Sequence, residues 1–247
     1  YGAEMRPDYT SLRFAILSGL RRPYVITNMV MSTDGKVVLG ETERGLGSAT
    51  DQRLMRELRL HADVVLNGAG TLRASGTSSR LGSRRLTELR REWGKSPAPI
   101  AAVLSRSADL PLDRPFFTAR DFDAVVYLSD AAPDDRRRAV AATGRRVVVV
   151  PDAAAVPAMV RHMRDDLGAA LLLAEGGPTI LGRLFEHDLV DEYFLTMSGV
   201  IVGGGAPAPV EGPRVSTPES IKRFGLVSAI PNPDDGEVHL RFRRRSG

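Results

Sequence analysis

The sequence contains no cysteine. Disulfide bonds, thiolate metal sites and cysteine nucleophiles are therefore excluded. The four histidines do not have the spacing of a metal site, so we expect no bound metal. No run of about 18 apolar residues occurs, which argues against a transmembrane helix. Aromatic residues are also scarce, at 6% of the 247 residues with a single Trp.

A signal-peptide pattern is lacking too, so we expect a cytoplasmic protein. The sequence starts at Tyr1 rather than Met, and the native start can lie further upstream. The formal net charge is +4, with clustered arginines at 84–85, 90–91, 136–138, 145–146 and 243–245. Basic surfaces attract nucleic acids or phosphorylated small molecules. Because no nucleic-acid motif is present, we expect a phosphorylated small-molecule substrate, no nucleic acid and no membrane, and interpret most of these arginines as solvent-exposed.

Apolar runs alternate with helical patterns along the chain, which predicts βαβ units and an α/β fold with a mostly parallel sheet flanked by helices. The predicted strands are residues 24–31, 63–66, 100–104, 124–128, 146–150, 169–174, 192–197, 199–202, 226–229 and 237–243. The predicted helices are residues 50–61, 84–93, 134–143, 154–167 and 179–187. The apolar run 147–150 is typical of a strand covered on both faces. The Asp235-Gly236 turn predicts a final antiparallel hairpin.

The segment AALLLAEGGPTILGRLFE, residues 169–186, is the most informative part of the chain. A buried strand stops at Glu175, turns through Gly176 and Gly177, and continues as a helix. Such a turn leaves backbone N–H groups unpaired at the positive end of the helix dipole, where a phosphate or pyrophosphate binds. Pro178 suits the first helical turn, because its missing N–H is no loss there. The alternative is a tight turn that binds no ligand, since glycine-rich turns are common.

Three other segments follow predicted strands, where α/β proteins bind their ligands. Asp34 and Lys36 flank Gly35 in a turn and indicate either a substrate or proton-handling pair or a solvated salt bridge. The glycine loop at residues 67–71 is a second candidate cradle for a phosphate or a ribose. Ser105, Arg106 and Ser107 suit a phosphate monoester such as the 2′-phosphate of NADPH, although an ordinary polar turn has the same composition.

The helix at residues 50–61 offers two further candidates. Ser48, followed three residues later by Asp51, resembles a capping box at its start. Arg59 lies at the edge of the buried stripe, where it can reach a ligand phosphate or remain a surface arginine.

Together these motifs resemble the reductase domain of the bifunctional riboflavin-biosynthesis deaminase–reductase, which has a dihydrofolate-reductase-like fold. The marks are RPYVITNMVMSTDGKV, LRLHADVVLNGAGTL and EGGPTILGRLFEHDLVDEYFLTMSGVIVGGG, in that order along the chain. The resemblance implies one reductase domain over residues 1–247, with a helical extension at 1–21 and a body at 22–243. The extension has its own helical pattern of Leu12, Ile16 and Leu20. The zinc deaminase half is absent, because the chain has no Cys.

The resemblance further implies an NADPH-dependent, homodimeric enzyme that reduces the ribose of 5-amino-6-(5-phosphoribosylamino)uracil to a ribityl chain. Catalytic roles fall on Asp34, Lys36 and Glu175, and substrate binding on Ser48, Arg59 and Glu175. The implied cofactor-binding residues are Asn67, Gly68, Ala69, Thr71, Ser75, Ser105, Arg106, Gly176, Gly177, Pro178 and Thr179.

Three positions depart from the family pattern. Glu43 replaces a serine, Gly45 replaces a tryptophan that contacts the cofactor, and Ser75 stands in place of an acidic residue. A carboxylate at Glu43 would repel a substrate phosphate. Two alternatives therefore remain beside the riboflavin reductase. One is a reductase of the same fold that acts on a dihydrofolate or pteridine or uses a deazaflavin. The other is a non-catalytic paralogue that binds NADP.

Overall fold

A computed structural model describes residues 7–16, 19–40, 42, 44–76, 78–212 and 217–245. Its strands are β1 (Tyr24–Ser32), β2 (Val64–Gly68), β3 (Ile100–Ser105), β4 (Ala124–Ser129), β5 (Arg146–Val150), β6 (Leu171–Ala174), β7 (Glu192–Ser198), β8 (Phe224–Asn232) and β9 (Glu237–Arg244). Its α-helices are α1 (Ala49–His61), α2 (Ala69–Ser75), α3 (Arg84–Glu92), α4 (Pro115–Thr118), α5 (Asp134–Ala141), α6 (Ala155–Asp165) and α7 (Pro178–Glu186). Short 3₁₀ turns lie at Asp152–Ala154 and Pro233–Asp235.

The strands form one sheet in the order β5-β4-β3-β2-β6-β1-β7-β9-β8. Every neighbouring pair from β5 to β7 is parallel, whereas β9 is antiparallel to both β7 and β8. The predicted parallel sheet and terminal antiparallel hairpin are therefore confirmed. The parallel strands β2 to β6 all end at one edge, so the loops that follow them lie together.

Helices cover both faces of the sheet because the strands are apolar on both sides. On one face, α6 and α7 pack on alternate strand residues such as Val64, Leu66 and Tyr127. On the other face, Leu54 and Leu58 of α1 pack on the intervening residues of the central strands. Further along that face, residues of α2, α4 and α5 pack over β3 and β4. The sheet is thus the middle of three layers.

Four expectations about the elements need correction. Residues 199–202 do not form a strand, because their backbone groups pair with the turn after β1: the amide of Thr33 donates to the carbonyl of Val200 at 2.9 Å. Part of the predicted glycine loop is helical, since α2 begins at Ala69. β5 is an edge strand in which Val149 is 51% exposed, so its apolar run does not mean burial on both faces.

The fourth correction concerns the N-terminal extension, whose described residues 7–16 and 19–21 contain no helix. Its backbone and aromatic side chains dock on α1 and β7 instead. The amide of Tyr9 donates to the Glu57 carboxylate at 2.8 Å, and the Tyr9 ring meets Phe194 edge-on at 5.2 Å. These long-range contacts satisfy the backbone and bury the rings without a helical stripe. Residues 1–6, 17 and 18 lie outside the described part of the chain.

Arg90 is an exception to the interpretation of most clustered arginines as solvent-exposed, because it is only 1% exposed. Its Nη1 donates to the carbonyls of Arg59, Leu60 and Ala62 at 2.7 to 3.0 Å, and its Nε donates to that of Ser96 at 2.7 Å. The side chain therefore satisfies the carbonyls at the end of α1 that the helix itself leaves unpaired. Burial lowers the pKa of Arg90 to about 10.

Candidate functional site

A cleft of about 860 Å³ opens at the edge where the parallel strands end. Its walls are residues that follow β2, β3, β4, β5 and β6, together with one side of α7. Of the predicted cofactor-binding residues, the cleft brings together Gly68, Ala69, Thr71, Ser105, Arg106, Gly177, Pro178 and Thr179. Three segments far apart in sequence therefore share one cavity.

The floor of the cleft is a close approach of two backbones. The amide of Gly68 donates to the carbonyl of Gly176 at 2.7 Å, and a Cβ on Gly68 would lie 2.9 Å from the amide nitrogen of Gly177. A Cβ on Gly177 would lie 3.1 Å from Thr71 Oγ1. The Gly176–Gly177 peptide bond is cis, and Gly176 has a φ of 103°. Glycine is needed here because a side chain at Gly68 or Gly177 would collide with the facing turn, and the positive φ of Gly176 favours glycine.

The start of α7 is open to a ligand. Gly177 is the N-cap residue and supplies no side-chain hydrogen bond, and Pro178 occupies the first turn. Arg73, Arg106 and Arg183 also line the cleft. Backbone N–H groups, the helix dipole and three guanidinium groups together favour an anionic ligand of the size of a dinucleotide.

Three predicted cofactor residues are not on the cleft wall. Asn67 is buried in β2 at 4% exposure. Gly176 lies in the turn behind the wall, where its carbonyl accepts a hydrogen bond from the amide of Gly68. Ser75 ends α2, and its side chain lies outside the described part of the structure. Glu43 likewise lies outside it. Gly45 is described and has a φ of 91°, a conformation that favours glycine.

Arg59 and Glu175 form a buried ion pair beside the cleft. Nε and Nη2 of Arg59 donate to the two carboxylate oxygens of Glu175 at 2.5 and 2.7 Å, and Nη1 donates to the carbonyl of Arg80 at 2.6 Å. The side chains are 11% and 4% exposed. Glu175 thus points toward α1, whereas the residues that follow it line the cleft. The turn after β6 therefore lies between two candidate sites.

The Asp34 carboxylate serves as an anchor in this structure. It accepts hydrogen bonds from the Ser32 hydroxyl at 2.6 Å and from the amides of Val202 and Gly203 at 3.0 and 2.7 Å. These hydrogen bonds lower the pKa of Asp34 to about 2. A carboxylate that stays ionised at neutral pH fixes a loop but does not donate a proton. The side chain of Lys36 is half-buried in the same turn.

Ser48 caps α1 as predicted, but Asp51 does not complete a capping box, because the Ser48 amide donates to the buried Glu237 carboxylate instead. Its hydroxyl accepts from the amides of Thr50 and Asp51 at 3.0 and 3.2 Å. The same hydroxyl and the Ser48 amide donate to Glu237, both at 2.7 Å. The Ser48 hydroxyl is therefore engaged in the fold, and its predicted contact with a substrate stays a prediction.

Several residues on the cleft wall were not predicted from the sequence, above all Ser129 and Asp152. Both follow or end predicted strands, so the rule that ligands bind beyond the carboxyl ends of parallel strands could have flagged them. Their side chains pair across 23 residues, at 2.7 Å from Ser129 Oγ to Asp152 Oδ1. Neither belongs to a recognisable motif.

The fold and the cleft define an α/β protein of the dihydrofolate-reductase-like class. A dihydrofolate reductase from Enterococcus faecalis complexed with NADP(H) superposes with a TM-score of 0.53 over 90% of this chain and 97% of that one, at 12% identity. A pyrimidine reductase-like protein from Corynebacterium diphtheriae superposes with a TM-score of 0.80, at 19% identity over 98% of this chain and all of that one. The predicted fold class is therefore confirmed.

The chain belongs to the RibD C-terminal domain family, whose model matches residues 23–230. Two curated relatives are both named 2,5-diamino-6-ribosylamino-4(3H)-pyrimidinone 5′-phosphate reductase. The Archaeoglobus fulgidus protein is 28% identical over 90% of this chain and its own full length. The Methanothermobacter thermautotrophicus protein is 30% identical over 74% of this chain and 81% of its own. The family that the sequence motifs indicated and the prediction of a reductase are therefore confirmed.

Proposed function

We propose that the chain is an NADPH-dependent reductase that acts on the ribose of a phosphoribosylaminopyrimidine in riboflavin biosynthesis. One observation carries the proposal. The glycine turn after β6 joins a basic cleft at the start of α7 to the buried Arg59–Glu175 pair. A cofactor in the cleft and a phosphorylated substrate near Arg59 would therefore meet at this turn.

The residues on the cleft wall fit NADPH. Gly68 and Gly177 let the two turns approach more closely than a Cβ would allow, and no side chain caps α7, so a pyrophosphate can approach its first amides. Thr71 adds a hydroxyl to the wall beside Gly177. Arg106 lies at the far side of the cleft, after β3. When bound, NADPH would supply the hydride that the ribose accepts.

On the substrate side, the protein would bind and orient the sugar phosphate. Arg59 is the candidate for the phosphate, but Glu175 already occupies two of its nitrogens. A bound phosphate would share this guanidinium with Glu175 or displace it. Glu175, next to the glycine turn, can then accept hydrogen bonds from sugar hydroxyls and hold the reacting carbon near the cofactor.

Two pyrimidine bases are candidates. The resemblance in sequence implies 5-amino-6-(5-phosphoribosylamino)uracil. The names of the curated relatives favour the 2,5-diaminopyrimidinone, which carries an amino group on the ring at position 2. Both substrates have the phosphoribosylamino group, so the proposed roles of Arg59 and Glu175 are the same for either.

Binding and turnover test this function separately. NADPH and NADH are titrated while nicotinamide fluorescence is followed, and NADPH oxidation is then measured with each pyrimidine and with dihydrofolate. We expect binding, and turnover with one or both pyrimidines. Absence of binding would refute a reductase. Binding without turnover would support the non-catalytic paralogue, and turnover of dihydrofolate alone would support the dihydrofolate alternative.

We also propose that residues 22–243 form a single catalytic domain that assembles as a homodimer, as the resemblance implies. Light scattering after size-exclusion chromatography gives the mass directly. The chain has a mass of 26.7 kDa, so a particle of that mass would contradict the homodimer.

A further inference from the structure

The Asp152 carboxylate is fixed at the rim of the cleft. It accepts from Arg106 Nε at 2.9 and 3.1 Å and from Arg106 Nη2 at 2.9 Å. The Ser129 hydroxyl donates to it at 2.7 Å, and its own backbone amide donates to Asp130 at 2.9 Å. The hydroxyl and the amide hold Asp152 in place independently of Arg106.

The two partners differ in exposure. The side chain of Arg106 is 80% exposed, whereas that of Asp152 is 32% exposed. An exposed ion pair is weak, so a phosphate can draw the guanidinium away from Asp152, but the lost pair reduces the affinity for the phosphate. Asp152 is also the one carboxylate among the described residues of the cleft wall, where three arginines are the other charged side chains. An acid at this point opposes the charge of the rest of the cleft.

NADPH and NADH differ only at the 2′ position of the adenosine ribose, which carries a phosphate in one and a hydroxyl in the other. A 2′-phosphate at Arg106 would have to take the guanidinium from Asp152 and would be repelled by the carboxylate. A 2′-hydroxyl can instead donate a hydrogen bond to that carboxylate, as it does to acidic residues in other dinucleotide sites. The same pair therefore disfavours the phosphate and accepts the hydroxyl.

We propose that Asp152 determines the cofactor selectivity of this cleft by competing with a 2′-phosphate for Arg106 and by offering an acceptor to a 2′-hydroxyl. The inference rests on the proposed function, since it requires a nicotinamide dinucleotide in the cleft. In the natural chain the carboxylate then reduces the preference for NADPH over NADH, and loss of the carboxylate increases that preference.

The test is the ratio of the dissociation constants for NADH and NADPH, measured by fluorescence titration of the purified chain. In Asp152→Asn we expect tighter NADPH binding and unchanged or weaker NADH binding. The ratio should rise on the order of tenfold, which corresponds to about 1.4 kcal/mol. Glu88→Gln is the control, because it removes an acid from an exposed pair with Arg84 that does not line the cleft. Its ratio should stay at the wild-type value.

A second variant tests the route through Arg106. In an Arg106→Ala background, Asp152→Asn should give a smaller gain in NADPH affinity than in the natural chain. An equal gain in both backgrounds would overturn the proposal, and so would an unchanged ratio in the single variant. Failure of the natural chain to bind either cofactor would instead refute the proposed function. Melting temperatures of all variants establish that they are folded.

Discussion

The environment of the Asp51 side chain favours the protonated, neutral form of its carboxyl group. It lies in the first turn of α1 with 8% exposure. Burial and the nearby Glu237 carboxylate raise its pKa from 3.8 to about 6, against a hydrogen bond from Thr196 that lowers it. Between these two values the native state binds more protons than the unfolded state, so the free energy of unfolding falls as pH rises.

The raised pKa of Asp51 predicts a loss of stability with rising pH, and a neutral side chain at this position removes that loss. From pH 4 to pH 7, Asp51 should cost the natural chain roughly 2.4 kcal/mol of stability, because one pKa unit corresponds to about 1.36 kcal/mol and part of the shift already acts at pH 4. Asp51→Asn should lack this loss. Urea unfolding of both chains at the two pH values measures the difference. A variant that loses as much stability as the natural chain would show that Asp51 is not the group responsible.

The Arg59–Glu175 pair predicts a strong coupling in stability. Arg59→Met leaves the Glu175 carboxylate buried without its partner, which costs about 3 to 5 kcal/mol. Adding Glu175→Gln removes the unpaired charge and should restore much of that loss. The four proteins of this double-mutant cycle are compared by urea unfolding. Additive losses would mean that the pair is not coupled in solution.

At the scale of the element, Arg90 stabilises the end of α1. Arg90→Met removes the donors of three α1-end carbonyls and should lower the free energy of unfolding by roughly 3 kcal/mol, since each unsatisfied buried group costs about 1 to 3 kcal/mol. Arg91→Met is the matched control, because Arg91 is the next residue in the chain and its side chain is exposed. Equal losses in the two variants, seen by chemical denaturation, would contradict this role.

Most strands and helices could be predicted from the sequence because local signals determine them. Apolar runs predicted the central strands, and Ser48 and Pro178 marked helix starts at which the structure has α1 and α7. The edge position of β5 was not predictable, since an apolar run does not reveal which strands lie beside it. The absence of a strand at 199–202 was not predictable for the same reason, because the backbone partners of this segment belong to a turn far away in sequence.

In the candidate site, too, some features could be predicted from the sequence and others could not. The position of Gly68 and Gly177 on the cleft wall was predictable, because a turn from strand to helix has a local sequence pattern. The pairing of Arg59 with Glu175 spans 116 residues and that of Arg106 with Asp152 spans 46. A single sequence does not show which distant charges meet, so both arginines were predicted to bind ligand phosphates, and their pairing with Glu175 and Asp152 was not predicted.

At the scale of the whole molecule, the sheet order predicts a gradient of local stability. β1, β6 and β2 lie in the middle, with residues such as Ile26, Leu66 and Leu173 fully buried. β8 lies at one edge, with Leu226 and Val227 59% and 43% exposed. Amide hydrogen exchange followed by mass spectrometry should therefore be slowest in the central strands and fastest in β8. Equal protection in β8 would indicate that another surface covers this edge in solution.

The position of β6 between β1 and β2 has a consequence for synthesis of the protein. As the chain leaves the ribosome, β1 and β2 emerge long before the strand that separates them, so neither has its native neighbour on that side. The glycine turn is attached directly to this late strand. A nascent chain therefore acquires the centre of its sheet and the glycine turn of its candidate site in the same step, and a product that terminates before β6 has neither.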